Sequence, residues 1–396
     1  MSEVVAYTRE GNVGVISVNY PPVNALSHAV RAGLVAALEQ GQKDAEADIL
    51  LLVCEGRTFI AGADIREFGK PLQEPGLPDV INAYESSDKP IVAAIHGTAL
   101  GGGLETALGC HYRVALPSAK VGLPEVKLGL LPGAGGTQRL PRLVGAQKAL
   151  EMITSGNFVG ARDALALGIV DAVEGGDDIR QVGLAYARKL AAEGAPVRRV
   201  SDIADKVEAD KGSDVFDQFR AGLAKKARGL FSPFKCVDAV EAAFTLPFAE
   251  GLKRERELFK ECMESPQRAG LIHSFFAERE VSKVKGLAKD TPVREVKSVG
   301  IIGAGTMGGG IAMTFANAGI PVTLLELNQE ALDRGLAMIS KNYGITVSKG
   351  KMSQEAADKR QALITGSTSY DSLADVDLVI EAVFESMDVK RQVFGE

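Results

Sequence analysis

Two glycine-rich turns lie about 200 residues apart in the chain, and each follows an apolar segment and precedes a helical pattern. The first turn contains Gly101, Gly102 and Gly103, and the second is GAGTMG at residues 303–308. Glycine lets the backbone bend sharply and leaves amide groups uncovered at the start of a helix, where they favour an anion. Two strand–turn–helix units at this separation predict two α/β domains in series.

The length and composition agree with that organisation. A chain of 396 residues is too long for one ordinary hydrophobic core, so about two domains are expected. Apolar residues make up 46% and charged residues 24%, which is the usual balance of a soluble globular protein. The formal net charge of -6 argues against a surface that binds nucleic acid or an anionic membrane.

The cysteines and histidines form no pattern typical of a metal site or a disulfide framework. The four cysteines include no CxxC pair, so we interpret them as reduced thiols, and the four histidines form no HxxxH or HExxH motif. We therefore expect no metal. The N-terminus lacks a basic stretch followed by an apolar segment, which predicts no secretory signal. No run of about 18 apolar residues occurs, so no membrane span is expected.

Hydrophobic periodicity predicts alternating strands and helices in the first part of the chain and helices after it. A helix is predicted over residues 29–40, and strands are predicted over residues 14–18, 49–53, 91–95 and 121–123. Residues 178–289 have a helical pattern, in which the run RERE at 254–257 is most simply a helix face in solvent. A linker is predicted at 289–292, because Pro292 disfavours continuation of the helix.

We expect a core domain over residues 1–190, its helical C-terminal part and a linker over residues 191–290, and an incomplete nucleotide-binding domain over residues 291–396. In the last of these, strands are predicted at 299–302, 322–325 and 377–383, with a helix at 306–318. A single βαβαβ half leaves a sheet edge unpaired. Residues after about 297 are therefore expected to be unstable when they are expressed alone.

The second glycine turn follows a strand and opens a helix, and this context predicts a dinucleotide site. Gly303 permits the tight turn, Gly305 lets the backbone approach a pyrophosphate, and Gly308 allows close packing of the helix on the strand. Glu326 ends the next strand, where it would accept hydrogen bonds from ribose hydroxyls and repel a 2′-phosphate. NAD is therefore the expected cofactor. The alternative for Glu326 is a solvated strand end.

The first glycine turn is accompanied by two glutamates, Glu105 and Glu125, which are twenty residues apart. Addition of water to an activated double bond needs a base for the water, an acid for the α-carbon, and donors for the oxygen that gains negative charge. Carboxyl groups beside uncovered amides suit this chemistry.

Three segments closely resemble the crotonase (enoyl-CoA hydratase/isomerase) family. They are FIAGADI at residues 59–65, AIHGTALGGGLE at 94–105, and VGLPE at 121–125 followed by PGAGGTQRL at 132–140. The resemblance covers residues 4–285 and implies an α/β fold with a spiral ββα crotonase domain. It also implies that a CoA thioester is the substrate.

By this resemblance, the amides of Ala63 and Gly102 would form an oxyanion hole. Glu105 would orient and deprotonate water, and Glu125 would exchange the proton at the α-carbon. The presence of both glutamates favours hydration of a 2-enoyl-CoA. The alternatives are a 3,2-enoyl-CoA isomerase or another crotonase-type enzyme and, more remotely, an RNA-binding relative. We interpret Asp64 as a helix cap and the nearby histidines, His96 and His111, as packing or hydrogen-bonding residues.

Residues 299–396 resemble the start of the 3-hydroxyacyl-CoA dehydrogenase family, notably in IIGAGTMG at 301–308 and DLVIEAVFE at 377–385. This implies a Rossmann-type NAD-binding fold, of which only the first part is present. The family's catalytic His–Glu pair would lie beyond residue 396. The order of domains resembles the multifunctional β-oxidation enzymes, in which the bacterial cytoplasm is the first expected compartment and the peroxisome the second. Acyl-chain length, the residues that bind the CoA phosphates, and the oligomeric state stay open.

Overall fold

The chain folds as two units, Met1–Lys283 and Val284–Glu396. The computed structural model describes residues 4–67, 71, 73–281, 283–288 and 290–396. The first residues of the N-terminus and the predicted start of the linker, residue 289, lie outside the described residues. The predicted domain boundaries, after residues 190 and 290, stay predictions.

The first unit alternates strands and short helices and then continues as a set of helices. Its strands are β1 (Val5–Glu10), β2 (Val13–Val18), β3 (Ile49–Cys54), β4 (Ile91–Ile95), β5 (Thr98–Leu100), β6 (Tyr112–Ala115), β7 (Lys120–Gly122), β8 (Val159–Gly160) and β9 (Ala172–Val173). Its helices are α1 (His28–Lys43), α2 (Leu77–Glu85), α3 (Gly102–Gly109), α4 (Gly136–Val144), α5 (Ala146–Ser155), α6 (Ala161–Ala166), α7 (Ile179–Ala192), α8 (Asp205–Asp210), α9 (Val215–Lys226), α10 (Ser232–Thr245), α11 (Phe248–Glu264) and α12 (Pro266–Val281).

The strands of the first unit form two sheets. The larger has the order β1-β2-β3-β4-β6-β9 and is parallel except for the β1–β2 hairpin. The smaller has the order β5-β7-β8. The chain passes from the large sheet to the small one at Gly97, whose φ is 58°. A Cβ atom there would lie 2.3 Å from the carbonyl oxygen of Arg57, so this crossing requires glycine.

The central strands β3 and β4 of the large sheet are buried on both faces. Alternate residues of β3, such as Leu50 and Leu52, face the main core, while Leu51 and Val53 pack with Leu184 of α7. A parallel sheet covered on both sides needs continuous apolar runs, and this explains why β3 and β4 were predictable from the sequence. The predicted strands and the predicted helix of this unit are confirmed. The structure adds strands at the edges, including β1 and β9, whose short or partly exposed sequences have weak periodicity.

The second unit is a parallel sheet with helices. Its elements are β10 (Val299–Ile302), α13 (Thr306–Asn317), β11 (Val322–Leu325), α14 (Gln329–Ser348), α15 (Gln354–Gln361), β12 (Ile364–Ser367), β13 (Leu378–Glu381) and α16 (Met387–Gly395). The strand order is β12-β11-β10-β13. On the edge strand β13, Leu378 is 38% exposed and Val379 is 46% exposed. An exposed apolar edge strand agrees with the prediction that this unit is unstable alone, which stays a prediction.

Candidate active site

The segment at residues 60–63 runs beside the glycine turn that precedes α3. The amide of Leu100 donates to the carbonyl oxygen of Ile60 at 3.0 Å, and a second bond ties the carbonyl of Gly62 to the amide of Leu26 at 3.0 Å. A Cβ atom on Gly103 would lie only 2.1 Å from the Ile60 oxygen. Glycine at position 103 therefore lets the two segments touch.

This packing brings the backbone amides of Ala63 and Gly102 together. A Cβ atom on Gly102 would lie 3.4 Å from the Ala63 nitrogen. Within the described part of the chain, neither amide donates a hydrogen bond. Gly102 is the first residue of α3, where an amide has no acceptor within its own helix. Two uncovered donors at the start of a helix suit an oxygen that carries negative charge.

Glu105 lies in the first turn of α3 and is 2% exposed. Its Oε1 accepts hydrogen bonds from the amides of Ala134 and Gly136, each at 2.8 Å. Burial raises the pKa of Glu105, while the two amides and the positive charge of Arg139 oppose that rise. Glu105 is therefore a buried carboxyl group whose ionised form is held by main-chain donors.

Glu125 begins a short 3₁₀ helix, Glu125–Leu128, which follows β7. Its carboxyl group lies against Gly101, where a Cβ atom would be 2.9 Å from Oε1. Its Oε2 is buried and has no hydrogen-bond partner among the described residues. Burial, followed by the negative charges of Glu105 and Glu255, raises the pKa of Glu125 well above its usual range. The environment of Glu125 therefore favours the protonated form.

The structure thus brings the predicted residues of the first unit into one place. Ala63 and Gly102 supply two open amides, and both glutamates lie beside the same turn. The charges of Glu105 and Glu125 act on each other across this site. A group of this composition can accept a proton, donate a proton and stabilise an oxyanion.

In the second unit, the glycines of the 303–308 turn have distinct surroundings. Gly303 has φ 105°, and a Cβ atom on Gly308 would lie 1.8 Å from the carbonyl oxygen of Gly303. A Cβ atom on Gly305 would meet no atom within 4 Å. Gly303 and Gly308 are therefore required by the fold of the turn, whereas Gly305 leaves open space at the start of α13. Such space fits a pyrophosphate.

Glu326 follows β11 and is tied to the same turn. Its Oε2 accepts a hydrogen bond from the amide of Ala304 at 2.8 Å, and its Oε1 accepts one from the amide of Leu327 at 2.9 Å. The side chain is half-buried rather than a free strand end. The four residues predicted for NAD binding therefore lie around one turn, and they fit a dinucleotide.

Comparison with known proteins gives the family. Residues 8–219, just over half of the chain, match the family described as enoyl-CoA hydratase/isomerase. The chain belongs to the enoyl-CoA hydratase/isomerase family. Residues 298–396 match the NAD-binding domain of 3-hydroxyacyl-CoA dehydrogenase. The predicted fold class, a crotonase domain followed by helices and the start of a Rossmann-type NAD-binding domain, is confirmed.

The chain is also similar to individual proteins. A peroxisomal bifunctional enzyme of Danio rerio is 43% identical over 390 residues, which cover 97% of this chain and 53% of that protein. A peroxisomal fatty acid beta-oxidation multifunctional protein of Arabidopsis thaliana is 38% identical over 397 residues, which cover 97% of this chain and 54% of that protein. The chain therefore spans about half the length of the curated relatives it matches.

Among solved structures, the carnitinyl-CoA hydratase of Mycobacterium avium superposes with a TM-score of 0.52 at 28% identity. The match covers 70% of this chain and 97% of that one. It agrees with the hydratase/isomerase fold of the first unit.

One residue of this hydratase/isomerase site was missed by sequence reasoning, and its interpretation was wrong. Glu255, in the RERE run, is not on a solvated face but is 2% exposed. Its Oε1 accepts a hydrogen bond from the amide of Gly135 at 2.6 Å. The buried residues of α11 recur at helical spacing through it, namely Gly251, Glu255, Leu258 and Cys262. That stripe was the signal that distinguishes Glu255 from its exposed neighbours.

The interpretations of Asp64 and the histidines are confirmed. Asp64 Oδ1 accepts a hydrogen bond from the amide of Arg66 at 3.0 Å. His96 Nε2 lies 3.0 Å from the carbonyl oxygen of Gly56. His111 Nδ1 accepts from the amide of Ile91 at 3.0 Å, so the hydrogen of this imidazole is on Nε2. Burial lowers the pKa of both histidines.

Within the described ranges, no group of three or more His, Cys, Asp or Glu residues has the arrangement of a metal site. No helix in the described part of the chain is long and apolar enough to cross a bilayer.

Proposed function

We propose that the first unit adds water to the double bond of a 2-enoyl-CoA, and that the second unit belongs to an NAD-dependent 3-hydroxyacyl-CoA dehydrogenase in the full-length protein. The observation that carries the first part is the pair Glu105 and Glu125 beside the two open amides of Ala63 and Gly102. The pathway, fatty-acid β-oxidation, belongs to the same proposal and is supported by the name of the Arabidopsis thaliana relative.

The oxyanion hole would act on the thioester carbonyl. As water attacks the β-carbon, negative charge moves onto that oxygen and gives an enolate. The amides of Ala63 and Gly102 would donate to this oxygen from fixed positions, so no reorganisation is needed during the reaction. One such donor lowers a barrier by about 3 kcal/mol.

The different surroundings of the two glutamates support their assignment as base and acid. Glu105 is held by two amides and acted on by Arg139, and these stabilise its ionised form. Glu125 has an oxygen without a hydrogen bond and lies in the negative field of Glu105. Environments that separate two pKa values in this way produce one base and one acid. Glu105 would take the proton of water, and Glu125 would give a proton to the α-carbon.

The residues of the second unit suit NAD, which accepts a hydride when it is bound. Gly305 would let the pyrophosphate approach the start of α13, and Glu326 would accept hydrogen bonds from the ribose. The negative charge of Glu326 would also disfavour the 2′-phosphate of NADP.

Compartment is part of the proposal. Both relatives described above are named as peroxisomal proteins, and this supports the peroxisome, the second of the two compartments expected from the sequence. The bacterial cytoplasm stays a prediction without support from these names.

The unsatisfied oxygen of Glu125 favours a second activity at the same site, isomerisation of a 3-enoyl-CoA. In its ionised form, such a carboxyl group can also move a double bond: it takes the proton from the α-carbon of a 3-enoyl-CoA and then returns it to the γ-carbon. Glu105 is not required for that transfer, so both activities are compatible with one site.

The test is identification of products from the purified chain. It is incubated with short- and long-chain 2-enoyl-CoA and, separately, with 3-enoyl-CoA, and products are identified by mass spectrometry and chiral chromatography. Formation of 3-hydroxyacyl-CoA from 2-enoyl-CoA is the expected result. Conversion of 3-enoyl-CoA alone would replace hydratase by isomerase as the function, and turnover of neither would refute the proposal.

A further inference from the structure

Four consecutive backbone amides, those of residues 134–137 at the start of α4, are bound alternately by two carboxyl groups. We call these residues the alternating turn. Glu105 of α3 accepts from the first and third amides at 2.8 Å each. Glu255 of α11 accepts from the second and fourth at 2.6 and 3.0 Å. The turn is therefore held from two sides by residues 150 positions apart in the sequence.

The second oxygen of Glu255, Oε2, accepts from a side chain as well as from the amide of Thr137. The hydroxyl group of Thr137 donates to Oε2 at 2.5 Å. The same hydroxyl oxygen accepts from Gln138 Nε2 at 2.8 Å, and that amide also donates to the carbonyl of Ala239 in α10. Thr137 and Gln138 are both fully buried. The hydrogen-bond network around the alternating turn thus extends into α10.

A buried carboxyl group without a cation partner is unusual for a purely structural contact. Within the described residues, Glu255 forms no ion pair with a lysine, arginine or histidine. A buried carboxyl group without a cation partner costs stability, whereas a neutral side chain could accept the same amides at a lower cost. The carboxyl group instead adds a third acidic side chain to the site formed by Glu105 and Glu125.

We propose that Glu255 is a positioning residue for the hydration reaction: it fixes the alternating turn and thereby orients the carboxyl group of Glu105. This inference rests on the proposed function. Glu255 touches no reacting atom in this scheme and acts through the turn. Because Glu105 binds through one oxygen to two amides of that turn, any displacement of the turn moves the base relative to the water. A misplacement of about 1 Å typically lowers a rate by about 100-fold.

Its charge has a second, smaller effect. Burial and the negative charge of Glu105 raise the pKa of Glu255 to about 8. The other charged groups that act on this cluster are Glu125 of the 3₁₀ helix and Arg139 of α4. Above about pH 8 the ionised Glu255 therefore raises the pKa of Glu125 and keeps it protonated to a higher pH. In the acidic range Glu255 is neutral and has no such effect.

The experiment compares Glu255→Gln with Glu257→Gln in the whole chain. Glu257 lies two residues further along α11, is exposed, and pairs with Arg254. For Glu255→Gln we expect kcat to fall about 10- to 100-fold and KM to change less than about threefold, because the substrate contacts are intact. The alkaline limb of the rate profile should move about one pH unit lower as the pKa of Glu125 falls. The acidic limb should move higher together with the titration of Glu105, because a displaced turn holds the ionised form of Glu105 less well. Glu257→Gln should match the parent chain.

Two further measurements keep the outcome clear. Thr137→Val keeps the amide bond to Glu255 but removes the hydroxyl donor to Glu255 and the acceptor of Gln138 Nε2, and a smaller fall in kcat is expected. This variant replaces Glu255→Gln as the test if Glu255→Gln folds poorly. The titration of Glu105, followed by ¹³C NMR of its labelled carboxyl group, does not depend on turnover. The pKa of Glu105 obtained from this titration should change in Glu255→Gln and should stay unchanged in Glu257→Gln.

Different results would refute the proposed hydration and the positioning role of Glu255. If the parent chain hydrates no 2-enoyl-CoA, the function is refuted, while the Glu105 titration still tests the inference. Parent-like kcat and an unmoved alkaline limb in Glu255→Gln would overturn the inference. A loss of rate explained by less folded protein, with both the limb and the titration unchanged, would overturn it too.

Discussion

Glu105 and Glu125 lie beside the same glycine turn, yet Glu105 accepts two backbone hydrogen bonds through one oxygen while Glu125 has a buried oxygen with none. Both carboxyl groups are shielded from water, so hydrogen bonds and neighbouring charges decide which of them ionises first. The difference between them is built into the backbone of the alternating turn. It makes the two glutamates non-equivalent.

The first prediction concerns the base. Glu105→Gln should lower hydration of a 2-enoyl-CoA by about 10²- to 10⁴-fold, because the amide cannot accept the proton of water. Its oxygen can still accept both backbone hydrogen bonds, so the fold should be kept. Isomerisation of a 3-enoyl-CoA, which uses Glu125, should fall much less. Both activities are measured in parallel with Glu257→Gln as the control, and an equal loss of the two would contradict the assigned roles.

The second prediction concerns pH. The proposed hydration needs ionised Glu105 and protonated Glu125, and both pKa values are raised. The rate should therefore rise with pH as Glu105 loses its proton and fall again as Glu125 loses its own, which gives a bell whose limbs both lie above the usual carboxyl range. The profile of kcat/KM measures this in the free enzyme. A maximum at or below pH 4 would show that the raised values do not govern the reaction.

The third prediction concerns the oxyanion hole. Gly103→Ala places a methyl group about 2 Å from the Ile60 oxygen and should separate the segment carrying Ala63 from α3. We expect a loss of about 1–3 kcal/mol of stability and a fall in kcat/KM of about 100-fold, the usual effect of losing one oxyanion donor. Gly160→Ala, where a Cβ atom meets nothing within 4 Å, is the matched control. Full activity in Gly103→Ala would argue against the hole.

The fourth prediction concerns the dinucleotide. Gly305→Ala should fold normally, because its Cβ atom meets no protein atom within 4 Å, but the methyl group would occupy space required by a pyrophosphate. NAD affinity, measured by calorimetric titration, should fall about tenfold or more, which corresponds to about 1.4 kcal/mol. Gly310→Ala, also without close neighbours and on the same helix, should retain NAD binding. Equal affinities of the two variants would place the pyrophosphate elsewhere.

The fifth prediction links Glu255 to stability. Its pKa is raised from 4.5 to about 8 on folding. A carboxyl group whose pKa is raised on folding binds its proton more tightly in the folded chain. Its contribution to the free energy of unfolding is therefore fully present below about pH 4.5 and is lost as the pH rises towards 8. Glutamine does not titrate, so Glu255→Gln does not lose this stability. Between about pH 4.5 and pH 8 its free energy of unfolding should rise relative to that of the parent chain, by at most about 1.4 kcal/mol per pH unit. Urea unfolding at pH 5 and pH 8 measures it; a constant difference would be the contrary result.

Much of the fold could be predicted from local patterns. The strands β3 and β4 are continuous apolar runs because helices cover both faces of their sheet. The glycine-rich turns are visible in the sequence as short runs of glycine after an apolar segment. The glutamates Glu105 and Glu125 were found because each lies in a characteristic segment. Short motifs of this kind can be recognised in the sequence without the structure.

Glu255 could not be found in the same way. It lies 120 residues from Gly135, and its charged neighbours suggested a helix face in solvent. Its burial depends on how α11 packs against the start of α4, which no local pattern describes. The apolar stripe through α11 indicated a buried face, but not that a carboxyl group there binds main-chain amides.

The sequence by itself determined the strand–turn–helix units, the residue types needed for proton transfer, and the glycines that leave amides open, because backbone sterics and hydrophobic periodicity act over short distances. Only the tertiary structure decided that Ala63 and Gly102 present their amides together and that Glu105 and Glu255 bind the same buried turn. These relationships depend on packing between distant segments, where burial and hydrogen bonding set the charge of each group.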